Sequence, residues 1–214
     1  TPAAGAAETS GARWLFVGRL APNKAAHDIV MALAAYRHVY DPQARLTLVG
    51  GLGHDLYTKA VRALVEALDL TGAVEITGPV SDAELASAYE HADVFVCLSD
   101  HEGFCFPILE AMSNDLPVIA HSAGAVPDTV GSGGVVLESK SPPAVAAAIH
   151  GVLAQPGRRE RLIEAGRSRL RNFEPAKTKA LFLSEVRRGL ARAGLVRNGP
   201  VVARGMAESH GEPS

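Results

Sequence analysis

The chain has 214 residues, 47% of them hydrophobic and 21% charged, enough for one sizeable core and too few for two large domains. Its formal net charge of -2 supplies no positive field for nucleic acid or an anionic membrane surface. No apolar run is long enough to span a bilayer. The two cysteines, Cys97 and Cys105, cannot form a disulfide framework, which points to free thiols in a reducing compartment and a cytoplasmic location. The segment Thr1 to Gly11 lacks the basic cluster and apolar core of a signal peptide. An opening Thr rather than Met suggests a fragment or a processed product.

Residues 1–12, rich in Ala, Gly, Ser and Thr, are expected to be a linker. Short apolar runs then alternate with amphipathic stretches. Strands are predicted at Trp14–Val17, Arg45–Val49, Val74–Ile76, Val94–Leu98, Pro117–Ala120 and Gly134–Leu137. Helical spacing of Ile29, Leu33, Tyr36 and Tyr40 predicts a helix from Lys24 to Tyr40, and Val61, Leu64, Val65 and Leu68 predict one from Leu56 to Leu68. Ser81-Asp-Ala-Glu84 reads as a capping box opening a helix that runs to His91. This alternation predicts an α/β fold: a doubly wound, Rossmann-like parallel sheet of about six strands. After Ser141 the pattern is wholly helical, with helices expected at Pro142–Ala154, Pro156–Asn172 and Pro175–Arg192, each beginning near a proline. Residues 13–193 are read as one domain and 194–214 as a flexible tail.

Two loops carry the chemistry. Gly18 permits close backbone approach to a ligand, and Arg19 and Lys24 put two cations at the same strand end, an arrangement suited to a diphosphate. The second loop runs from Ser99 to Met112, where Glu102 and Glu110 bracket a Gly-Phe-Cys-Phe-Pro turn between a buried strand and a helix start. That is the usual ligand crevice of an open parallel sheet, and a helix start favours an anion. His101 and His121 lie near this crevice, and His101 is taken as a supporting group only.

Several chemistries are disfavoured. Gly50-Gly51-Leu52-Gly53 lacks the third glycine of a dinucleotide fingerprint, since Leu56 stands there. There is no G-x-x-x-x-G-K-[ST] and no G-x-S-x-G. No two aspartates stand in a D-x-D spacing and the eight histidines show no zinc-like spacing, so no metal and no cofactor is expected. Glycoside hydrolysis by the two carboxylates needs both to flank one bond and leaves Arg19 and Lys24 unexplained. A sugar linked to a diphosphate accounts for all four. Arg19, Lys24 and the helix start after Phe106 would stabilise the departing diphosphate. Glu110 would accept hydrogen bonds from ribose hydroxyls. Glu102 and the backbone of Gly103, Phe104, Cys105 and Phe106 would hold the sugar.

These residues resemble a known family, the C-terminal, donor-binding domain of retaining GT-B-fold glycosyltransferases, family 4 (group 1). Phe16-Val-Gly-Arg-Leu20 with Lys24 is similar to the family's diphosphate motif. Thr77-Gly-Pro-Val-Ser-Asp-Ala-Glu-Leu85 with Tyr89 and Ala92-Asp-Val-Phe95 is similar to its mid-domain motif. Glu102-Gly-Phe with Glu110-Ala-Met112 and Pro117-Val-Ile-Ala120 is similar to its E-x7-E motif. The likeness spans about Arg13 to Arg192, and the version around His101–Cys105 looks most like mannosyltransferase-type members of polysaccharide biosynthesis.

The resemblance implies that Arg19, Lys24 and Glu102 serve catalysis. It implies that the donor, a GDP- or UDP-sugar, is bound by Gly18, Arg19, Lys24, Ile76, Glu102, Gly103, Phe104, Cys105, Phe106, Leu109 and Glu110. The base would meet backbone near Ile76 and Thr77. A glycan or lipid-linked acceptor would be held by an N-terminal domain missing from this chain, so the chain alone is expected to transfer weakly or not at all. Peripheral association of the full-length protein with the inner face of the membrane is a further expectation. The chain departs from the family pattern at Ala25 and Cys105, where Gly is common, at Asn114-Asp115, where small residues or Gly are usual, and at Asp128, where Glu is usual. Two alternatives stay open: a non-catalytic nucleotide-sugar-binding module that pairs with another chain, and a GT-B-type epimerase or phosphorylase.

Overall fold

A computed structural model describes residues 11–52 and 55–193. Most of the expected linker, Gly53 and the expected tail at 194–214 lie outside the described residues. The chain divides into two compact units after Asn172. Ala12 is already tied to the first unit: its N–H donates to the Asp41 carboxylate at 2.7 Å and its carbonyl accepts from the Arg45 N–H at 2.8 Å.

The first unit is a six-stranded sheet of β1 (Arg13–Val17), β2 (Arg45–Val49), β3 (Val74–Gly78), β4 (Val94–Cys97), β5 (Val118–His121) and β6 (Gly134–Leu137). All pairings are parallel and the order is β3-β2-β1-β4-β5-β6. The doubly wound α/β expectation is thus met.

Strand alternation sends side chains into two cores. Trp14 and Phe16 of β1 join one, with α1 (Ala26–Val39), α2 (Asp55–Ala67) and α6 (Pro142–Leu153). Leu15 joins the other, with α3 (Asp82–His91), α4 (Phe106–Ser113) and α5 (Val126–Val130). The helix α7 (Arg158–Leu170) packs on α4, α6 and β6. In the second unit, α8 (Pro175–Arg192) carries an Arg188–Glu185 ion pair at 2.9 Å and exposes Leu181 and Phe182. No described helix is long and apolar enough to cross a membrane.

Local rules explain where the elements begin. The capping box at Ser81 is present in both directions. Pro107, Pro127, Pro142 and Pro175 all stand in first helical turns, where a missing N–H is harmless. The predicted Lys24–Tyr40 helix is corrected at its start. Pro22–Lys24 forms a 3-10 turn, Ala25 turns left-handed at φ 50, and α1 opens at Ala26. Pro156 likewise precedes α7 because Gly157 takes φ 72. Leu68 lies just past the end of α2 and is exposed rather than buried with Val61. The short helix α5 has no counterpart among the predicted elements, since five residues are too few to show a period.

Tyr36 packs edge-on against Trp14 with ring centroids 5.1 Å apart. Burial, aided by Asp41 and Asp93, pushes its phenol up to about 12. Below about pH 10 the folded and unfolded chains both keep this proton. Between about 10 and about 12 the unfolded chain releases it while the folded chain holds it, so stability falls as pH rises. Urea melts across that window should show wild type losing on the order of 2 kcal/mol more than Tyr36→Phe. Equal losses in both proteins would remove Tyr36 as the cause.

Candidate active site

In an open parallel sheet, ligands bind beyond the carboxyl ends of the strands where the strand order reverses. Here that point lies between β1 and β4, and the loops leaving these strands carry Arg19, Lys24 and Glu102. The loop after β1 is held by backbone: Gly18 N–H donates to Val49 O and Leu20 N–H to Gly51 O, both at 2.9 Å. The Asp100 N–H donates to Asn23 O at 2.9 Å, joining the 3-10 turn to the loop after β4.

At the centre is an ion pair. Lys24 Nζ donates to Glu102 Oε1 at 2.6 Å and Oε2 at 2.8 Å. The Glu102 side chain is 8% exposed and that of Lys24 23%, so both charges are largely withdrawn from water and each depends on the other. Ser99, buried at the end of β4, donates its hydroxyl to Glu102 Oε1 at 2.7 Å. His121 Nδ1 lies 3.3 Å from the Ser99 carbonyl oxygen. From the loop after β5, the Ala125 N–H donates to the Glu102 carbonyl at 2.9 Å. Beside it Gly124 adopts φ +57, and a Cβ there would meet Glu102 O at 2.4 Å. Lys24 and Ser99 therefore hold the Glu102 carboxylate, and the loop after β5 holds its backbone. An ammonium has three donors, and two are spent on Glu102, leaving one for a ligand oxygen.

Arg19 is exposed and forms no ion pair with any described residue, so its guanidinium is open to an anion. The helix α4 begins at Phe106 with no side chain capping it, which leaves positive potential at the same crevice. One turn on, Glu110 is exposed, and its Oε2 accepts from the Tyr89 hydroxyl at 2.8 Å. Burial first, then Glu110 itself, holds the Tyr89 proton far above the ordinary phenol range, so Tyr89 stays a donor and sets the carboxylate's direction. Phe104 and Phe106 stack edge to face at 4.8 Å, with Phe106 68% exposed at the mouth. Gly103 is open, Leu109 is partly buried and His101 is exposed. Ile76 packs into the core, while Thr77 lines a separate hollow of about 580 Å³ between α3 and β1–β3, with Thr47, Glu75 and Val80.

A layer of ion pairs backs the site. Lys140 Nζ reaches Asp28 at 2.6 Å and also Asp100, and the two carboxylates raise its affinity for a proton against the effect of burial. Ser99, Tyr89, Gly124 and Lys140 were not among the candidate site residues. Tyr89 stands within a motif and Ser99 opens the second loop; Gly124 and Lys140 carry no such signal.

Three departures from the family pattern share a conformation. Ala25, Cys105 and Asp115 have φ of 50, 64 and 57. Glycine adopts that region without steric penalty, which explains why it is common there. A residue with a Cβ costs about 1 kcal/mol more.

A family model described as glycosyl transferases group 1 matches residues 4–169. The chain belongs to that family. The D-inositol 3-phosphate glycosyltransferase of Kineococcus radiotolerans is 30% identical to this group 1 chain over 191 residues, covering 82% of the chain and 44% of that enzyme. Among solved structures, the C-terminal domain of the group 1 family protein LpcC from Francisella tularensis superposes with a TM-score of 0.66 at 25% identity. It covers 75% of this chain and 85% of that one. HepE of Anabaena, solved with UDP and glucose, gives 0.66 at 25% identity over 74% of this chain and 43% of its own. The group 1 chain thus spans less than half the length of the Kineococcus relative. Its sheet and flanking helices are those of the GT-B glycosyltransferases.

Proposed function

We propose that this group 1 chain is the donor-binding half of a retaining glycosyltransferase. It holds a nucleotide-diphosphate sugar, with GDP or UDP as the nucleotide, for transfer to a glycan or lipid acceptor held by the remainder of a longer protein. The observation that carries this reading is the convergence of Arg19, the Lys24–Glu102 pair and the uncapped start of α4 at the reversal point of the sheet.

When the bond from the sugar to the diphosphate breaks, negative charge builds on the bridging phosphate oxygen. On this reading Arg19, the remaining donor of Lys24 and the start of α4 meet that charge as it develops, and so stabilise the transition state more than the ground state. They supply the positive charge that a metal would otherwise provide. Glu102 is held by Lys24 and Ser99 and orients sugar hydroxyls. Glu110, aimed by Tyr89, accepts from the ribose. The incoming acceptor hydroxyl attacks the face that the diphosphate leaves, which retains the configuration at the sugar carbon.

Calorimetric titration with GDP, UDP and their sugars tests this. One nucleotide series is expected to bind, with Arg19→Ala about tenfold to a hundredfold weaker. Glu110→Ala should weaken the nucleotide but not inorganic diphosphate. Folded protein that binds no nucleotide would sink the reading. Rapid sugar transfer to an acceptor by this chain alone would sink the assignment of the acceptor site to another part of the protein.

A further inference from the structure

Cys97 ends β4 and Cys105 precedes α4, and between them lies the loop that carries Ser99 and Glu102. Their sulfurs are 3.7 Å apart and both thiols are free. Cys97 is buried, while Cys105 is only partly so. Nothing proposed for donor binding requires this second thiol beside the first. Cys97, Glu102 and Cys105 are also close enough together to be considered as metal ligands. However, Lys24 already places an ammonium against both Glu102 oxygens, and a divalent cation would have to displace it.

We propose that Cys97 and Cys105 form a reversible dithiol–disulfide pair that gates the donor site. The gating effect rests on the donor-binding reading; the bond itself does not. A disulfide needs its sulfurs about 2.05 Å apart, so closure from 3.7 Å draws the start of α4 toward the end of β4. The closed ring contains Leu98 to Phe104, and so contains Glu102. Cys105 is held left-handed at φ 64, and it has little freedom to take up the movement without shifting Gly103, Phe104 and the first turn of α4. Closure therefore displaces the anion seat.

The oxidant is a small peroxide. The proton of the S···S contact sits on Cys105, whose thiol is held well above the ordinary range by Cys97 and by burial, and that donor draws the Cys97 thiol down to about 7, so Cys97 carries the thiolate near neutral pH. The Cys97 thiolate attacks one peroxide oxygen; the O–O bond breaks, giving a sulfenic acid on Cys97 and a hydroxide that takes the Cys105 proton as water. Cys105 as thiolate then attacks Cys97 Sγ, the S–S bond forms, and the sulfenic oxygen takes up a proton and leaves as a second water. Two thiols lose two electrons and two protons, and one peroxide becomes two waters. A thiol reductant reverses the bond, as expected of a regulatory rather than structural disulfide.

The chain would be treated with hydrogen peroxide, then mapped by mass spectrometry and titrated with nucleotide. The expected result is a mass loss of two hydrogens, a linked peptide pair containing Cys97 and Cys105, and nucleotide affinity about tenfold weaker, all restored by dithiothreitol. Cys97→Ala should show no thiol-reversible loss of affinity. Absence of the linked peptide in folded wild-type protein overturns the pair. So does tight zinc uptake by the reduced chain. Linkage without change in affinity overturns the gate. Should the reduced chain bind no nucleotide, donor binding fails while the linked peptide still reports on the pair.

Discussion

Lys24→Met should lower stability by about 2 kcal/mol and nucleotide affinity by at least about tenfold. The methionine keeps most of the apolar stem and removes the charge. Glu102 is then left with the Ser99 hydroxyl but without the cation that matches its own charge at 2.6 Å. Breaking one side of a buried pair is worse than replacing both, because the surviving charge stays desolvated; the partial exposure of Lys24 keeps the penalty below that of a fully buried pair. Adding Glu102→Gln to Lys24→Met should recover most of the lost stability and none of the lost affinity. Urea melts and calorimetry on the two single variants and the double measure both quantities. If the double variant regains affinity, Lys24 acts only by placing Glu102 and does not touch the diphosphate.

Gly124→Ala is expected to be strongly disruptive to the candidate site. Its φ of +57 is strained for any side chain, and the new Cβ would press on backbone, 2.4 Å from Glu102 O and 3.2 Å from Glu102 N. No flexible side chain can swing away to relieve this. The expected loss is about 3 kcal/mol of stability, with nucleotide binding abolished as the Glu102 loop shifts. Gly72→Ala is the contrasting change: a Cβ there meets nothing within 4 Å, and the effect should stay within about 0.5 kcal/mol. Similar losses in the two variants would mean that Gly124 is not the support assigned to it.

The centre of the sheet was legible because its strands are buried on both faces, and runs such as Val94-Phe-Val-Cys97 therefore contain no polar residue. The charged groups at strand ends were legible for the opposite reason: Arg19, Lys24 and Glu102 interrupt apolar runs at the edge where ligands bind. What held them in place was not. Ser99 is one serine among several until the fold turns its hydroxyl onto Glu102. Gly124 matters through backbone spacing that no residue pattern records. The start of α1 was set two residues early because Lys24 and Ala25 are both ordinary helix formers, and the left-handed turn at Ala25 is imposed by the Pro22 turn before it. Lys24 and Glu102 were assigned to different parts of the ligand, and their contact with each other is a property of topology alone.

The same topology has a consequence for synthesis. Of the six strands of this sheet, the earliest in sequence, β1, lies in the middle, with β2 on one side and β4 on the other. A growing chain can pair β1, β2 and β3 as soon as they emerge, but Lys24 waits for a partner 78 residues later, and the brace from Ala125 comes later still. Contacts of such long sequence separation form slowly, after local ones. The nascent protein thus passes through a stage in which half its sheet is in place and its ligand crevice does not yet exist. On the donor-binding reading, a nucleotide present during translation can stabilise only the last steps of folding.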